Sequence, residues 1–136
     1  MTQWAHSLIR ISGYEVETLQ KRLAELASRR ASMEMRLAVL DAEREVESER
    51  ARGDAMTQVL LNAYLGGWKL RRDAAEAELH AAALEEAGAR DALAVAFEEL
   101  KKFEHVAEVT RLAEAAAAGK RETARLDEVA LRRAAR

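Results

Sequence analysis

Cysteine and proline are both absent from this 136-residue chain, and aromatics are scarce, with two each of Trp, Tyr and Phe. Without cysteine there is no disulfide framework and no thiolate metal site, which is consistent with a reducing compartment. Without proline the strongest helix breaker is missing over the whole length. Aromatics make up 4% of a chain that is 49% hydrophobic; much of that fraction is alanine, too lean in bulky side chains for an ordinary globular core. Neither sign of charge dominates: 22 Lys and Arg face 24 Asp and Glu, for a net charge of −2, so no global field selects nucleic acid or an anionic membrane. No apolar run approaches the roughly 18 residues of a membrane span. The opening "MTQWAHSLIRIS" lacks the continuous apolar stretch of a signal peptide. The sequence reads as soluble.

What is abundant is Ala, the best helix former, and the charged residues used, Glu, Arg and Lys, are good ones too; 34% of the residues are charged. From Ile9, alternate steps of three and four land on Ile9, Ser12, Val16, Leu19, Leu23, Leu26, Arg30, Met33, Leu37, Leu40, Arg44 and Glu47. That is a heptad seam, apolar to Leu40 and fading beyond it. It predicts one amphipathic helix of roughly 45 residues, about 70 Å long at 1.5 Å per residue. Glu17 with Lys21 and Glu25 with Arg29 stand four residues apart and support the exposed faces.

A second seam runs Leu65, Trp68, Arg72, Ala75, Leu79, Ala82, Glu86, Ala89, Leu93, Ala96, Leu100, Phe103 and Ala107. Its alanines let two helices approach closely, while Phe97, Leu100 and Phe103 form a thicker packing anchor, expected against Ile9, Tyr14 or Val16. Two antiparallel arms are therefore expected, an all-α two-helix coiled-coil hairpin forming one domain: arm one over about 3–52, a turn region over about 53–67, and arm two over about 68–134. Two reversal points stand open. Gly53 followed by Asp54 has the order of a glycine C-cap and an Asp N-cap, and Gly66–Gly67 is a helix-weakening pair. Reversal near Gly53 sets residue 1 opposite roughly position 106; reversal near Gly67 sets it opposite roughly 132. Met56, Val59, Leu60, Leu61, Tyr64, Leu65 and Trp68 gather at the expected tip, where they either close the hairpin or offer a partner surface.

Chemistry is sparse. His6, His80 and His105 lie far apart and none stands four residues from another, against the three or four convergent donors of a metal site. The many glutamates lie on helix faces without a dry concave pocket to tune them, and no glycine-rich phosphate loop or nucleophile elbow occurs. No catalytic, cofactor or metal residue is expected. The basic end, with Arg125, Arg132, Arg133 and Arg136, suits a helix C-terminus and lacks the interleaved aromatics of a nucleic-acid stripe.

Taken in order, "SLIRISGYEVE" (7–17), "YLGGWKLRRDA" (64–74), "AFEELKKFE" (96–104) and "RLDEVALRR" (125–133) resemble the flagellar export protein FliJ family in its alphaproteobacterial form. The resemblance implies a coiled-coil hairpin serving flagellar type III secretion at the cytoplasmic face of the export apparatus. Members are similar in shape to the central stalk of rotary ATPases. Their terminal regions are thought to enter the export ATPase ring and promote its assembly and activity, another face meets the gate protein FlhA, and they escort export chaperones. Carried onto this chain, the resemblance assigns Arg10, Arg125, Asp127, Glu128, Arg132 and Arg133 to the ATPase. The half nearer the turn, with Leu37, Leu40 and Leu70, falls to the gate, although acidic Glu43 and Glu47 depart from the aromatics of some relatives there. No nucleic acid is implied, and the membrane is met only through the export apparatus. The alternative is a generic cytoplasmic coiled-coil scaffold or adaptor working as a dimer.

Overall fold

Two helices account for nearly the whole chain, α1 over Thr2–Arg50 and α2 over Ala55–Ala134. The computed structural model describes residues 2–136, with side chains from residue 3 onward. Of the two reversal points, the chain uses Gly53. At the end of α1 the Ala51 N–H donates to the Glu47 carbonyl at 3.2 Å and the Arg52 N–H to the Glu49 carbonyl at 3.4 Å, tightening the last turn. Gly53 then takes φ +93°, the left-handed conformation that releases the chain from the helix. Asp54 starts α2: its Oδ1 accepts the Met56 N–H at 3.1 Å and its carbonyl accepts the Gln58 N–H at 3.0 Å. Such a cap is worth about 1 kcal/mol. The Thr57 hydroxyl adds a bond of 2.8 Å to the same carbonyl. Gly66 and Gly67 lie inside α2, so 55–67 is helix and the turn is confined to 51–54.

Packing divides into two units, one of Glu17–Ala94 and one joining residues up to Val16 with Val95–Arg136. The first is a helical hairpin in which the two seams meet. Leu26, Leu40, Trp68, Ala75 and Ala82 are buried, with Leu37 and Tyr64 packed against the group formed by Leu40, Trp68 and Ala75. Burying a leucine such as Leu26 contributes about 1.5–3 kcal/mol relative to leaving it exposed, whereas the alanines contribute mainly by letting the backbones approach. Every position of the second seam is buried or half-buried; in the first seam only Arg44 is exposed. Arg29 forms an ion pair across the hairpin with Glu85 at 3.6 Å rather than with Glu25, which pairs with Arg22 at 3.7 Å.

In the other unit Ala5, Ser12, Val16 and Ala96 are buried, and Ile9, Leu100, Phe103 and Ala107 are half-buried. Phe97 stays 38% exposed and Tyr14 61%. Beyond Thr110 every residue is exposed, although the helix continues to Ala134.

Candidate functional site

The C-terminal stretch of α2 is where the chain presents the most surface for its length. Residues 112–134 are helical without burying a side chain. Local charge pairs along the axis support it: Arg111 with Glu108 at 2.8 Å, Arg125 with Glu122 at 4.0 Å, and Arg132 with Glu128 at 2.8 Å. The hydrogen bond from Arg111 holds the Glu108 carboxyl below its ordinary value of 4.5, against the opposing effect of desolvation. Arg132 and Arg133 fill the last turn, where cations complement the helix dipole. Leu112, Leu126 and Leu131 are all more than half exposed.

The residues assigned to the ATPase fall into two groups. Arg125, Asp127, Glu128, Arg132 and Arg133 share the exposed end of α2, and Arg10 is exposed on α1. Near Arg10, Ala5, His6 and Ile9 line a cleft with Glu104, Ala107, Glu108 and Arg111. Arg125 lies a further 14 residues along α2 from Arg111, about 21 Å at 1.5 Å per residue. The start of α1 is thus placed beside 104–111 and not beside "RLDEVALRR".

The residues assigned to the gate also divide. Leu40 is buried and Leu37 half-buried in the Trp68 cluster, so both are engaged in holding the hairpin. Leu70 is 73% exposed and free to meet a partner.

Two charged constellations in Glu17–Ala94 escaped the seam reading. Trp68, 8% exposed, donates its indole N–H to the Leu40 carbonyl at 2.6 Å. Its ring carries the Arg44 guanidinium 5.0 Å and the Arg72 guanidinium 5.9 Å from its centroid. Arg72 is anchored in turn by Asp41 at 2.9 Å and by Glu76. The hydrogen bond from Arg72 depresses the Asp41 carboxyl, and Asp41 and Glu76 raise the Arg72 guanidinium. Farther from the turn, Glu86, 5% exposed, accepts a bond from Arg30 across the seam and one from Arg90 at 3.1 Å. The hydrogen bond from Arg30 lowers the Glu86 carboxyl, while burial works the other way. Arg30 and Glu86 are opposite charges at positions of the two seams, but equal counting from Gly53 would set Arg30 roughly opposite Ala77, so the pairing follows from the packed register and not from the turn position alone.

Among the described residues no three His, Cys, Asp or Glu side chains are grouped to hold a metal ion, and no helix is long and apolar enough to cross a membrane.

With that geometry in hand, the chain matches the family model described as Flagellar FliJ protein over residues 6–136. It is 51% identical, over 99% of its own length and 97% of theirs, to the Flagellar FliJ protein of two Caulobacter vibrioides strains, NA1000 / CB15N and ATCC 19089 / CIP 103742 / CB 15. No solved structure matches it. The chain is a member of the flagellar FliJ family, a component of flagellar protein export.

Proposed function

We propose that this chain acts as a non-enzymatic stalk at the cytoplasmic face of the flagellar type III export apparatus, with the exposed end of α2 as the part that engages the export ATPase ring. One observation carries the reading: residues 112–136 continue α2 to Ala134 with every residue exposed and none packed against α1. A helix that buries nothing in its own chain is ordered by its local charge pairs and presents both faces to a ring that surrounds it. Arg125, Asp127, Glu128, Arg132 and Arg133 supply charges of both signs for polar loops inside the ring. Arg10 is reached only when the ring extends past the cleft of Ala5 and Ile9. The gate protein FlhA is met by the outer face near Leu70, whereas Leu37 and Leu40 act through the hairpin's rigidity. Export chaperones are escorted on the same hairpin.

The test is ATP hydrolysis by the cognate export ATPase with and without this chain. Stimulation by the native sequence, and its loss on combining Arg125→Ala, Asp127→Ala and Arg132→Ala with helical content retained, is the expected result. Equal stimulation by both proteins would remove the C-terminal end from the mechanism, and none by either would refute the stalk reading.

A further inference from the structure

The back of α2 within Glu17–Ala94 carries a second stripe that the hairpin does not use. In the repeat that sets Leu65, Trp68, Arg72 and Ala75 against α1, the opposite face of a two-helix coil is ordinarily charged. Here alternate steps of four and three from Met56 to Gly88 meet no charged residue at all. The large members, Met56, Leu60, Leu70 and Leu84, are 60–73% exposed, and the rest are alanine or glycine. Two costs therefore go unanswered inside the chain. Large apolar side chains stand in water, and Gly67 and Gly88 weaken a helix that alanine would strengthen. A Cβ added at either glycine meets nothing within 4 Å, so packing against α1 does not require them.

We propose that this stripe is a self-association surface, on which α2 of a second copy packs antiparallel about a two-fold axis with Ala74 of one copy facing Ala77 of the other. Fixing that one layer fixes the others. Gly67 faces Leu84, Leu70 faces Ala81, and Ala63 faces Gly88, each twice by symmetry. Both leucines meet a small residue, the arrangement that lets two helices interdigitate at close range. The same register sets Arg71, which lies over the Tyr64 ring, across from Glu78, which pairs with Arg36 at 3.5 Å yet keeps half its side chain exposed, again twice, so charge complementarity agrees with shape. Parallel pairing in register would instead align Leu70 with Leu70 and Gly67 with Gly67, crowding one layer and emptying the next. The match ends where Leu60 would meet Asp91, leaving 63–88 as the matched stretch, about 39 Å of helix. None of these residues belongs to 111–136, so the inference stands apart from the ATPase reading. A copy paired in this way has Leu70 covered, which makes self-association and a gate contact at Leu70 mutually exclusive.

The experiment uses the full chain in velocity sedimentation up to about 0.1 mM, where an association of ~10 μM would be mostly dimer. A concentration-dependent dimer is expected, together with a monomer at all concentrations for Leu70→Glu combined with Leu84→Glu, at unchanged helical content. Register is read by cysteine pairing, since the chain has no cysteine of its own. An air-oxidised mixture of the Ala63→Cys and Gly88→Cys variants forms a disulfide-linked dimer, and neither alone does, because like positions lie about 37 Å apart at 1.5 Å per residue. A monomer throughout with no disulfide in the mixture would overturn the proposal. So would a dimer that survives the double glutamate variant, or disulfides formed as readily by either cysteine variant alone.

Discussion

The hairpin of Glu17–Ala94 and the stretch 111–136 are written in much the same alphabet of Ala, Glu, Arg and Leu, yet one is packed and the other is bare. Both are helical, because alanine and long straight side chains favour helix whether or not anything covers them. What differs is the supply of partner: α2 has 80 residues and α1 only 49. Where α1 is present, seam positions such as Ala82 and Leu26 vanish from solvent; past its start, Leu112 and Leu126 do not. Helix formation is thus settled locally by composition, whereas burial is settled by where the chain turns.

Substitutions that separate these two kinds of stability sharpen the contrast. The largest effect is expected at Trp68→Ala, which empties the Leu37, Leu40 and Tyr64 cluster and should cost about 3–5 kcal/mol in urea unfolding followed by circular dichroism; Trp68→Phe, losing chiefly the bond to the Leu40 carbonyl, should cost about 1 kcal/mol. Next comes the seam ion pair. Arg30→Ala strands the Glu86 carboxylate in the seam, with Arg90 as its remaining partner. It should lower the melting temperature more than Arg125→Ala, whose pair is exposed. Because the folded Glu86 carboxyl titrates below its unfolded value, its contribution is complete above the ordinary glutamate range and is lost as pH falls below about 4.5 through the lowered folded value. The native protein should therefore lose stability more steeply than Glu86→Gln over that acid window.

Gly53→Ala, forced to adopt φ +93°, should destabilise by about 1 kcal/mol. The smallest effect belongs to the bare region. Removing residues 112–136 should leave the unfolding free energy of the remaining chain within about 0.5 kcal/mol of native, while helical signal falls with the residues removed. A large loss of stability on that truncation would erase the distinction between packed and bare helix.

The seams were legible because their period is a property of the chain: every position of the second, from Leu65 to Ala107, is covered to some degree. The partners across the seam were harder to see, since reversal at Gly53 or at Gly66–Gly67 shifts the opposing residue by many positions. Composition alone does not choose between them. The choice lies in the cap, where Asp54 accepts the Met56 N–H and a positive φ at Gly53 ends α1. Even then the pairs Arg30 with Glu86 and Asp41 with Arg72 lie roughly nine and six residues farther along α2 than equal counting from Gly53 gives, because the seams set their own register. The ring stacking on Trp68 was not legible in this way, because Arg44 is an exposed seam position that reaches the indole only through its side-chain length. Among the candidate site residues, Leu40 stood both in the seam and with the gate residues in sequence, and in the structure it is buried against Trp68.

Amide hydrogen exchange along the full chain, alone and with the cognate export ATPase, tests the central claim most directly, because exchange reports local opening residue by residue. Slow exchange is expected over the Leu26 to Ala82 seam in both conditions, and fast exchange over 112–136 alone that slows when the ATPase is added. Unchanged exchange over 112–136, with slowing confined to Glu17–Ala94, would contradict it and move the working surface to the hairpin.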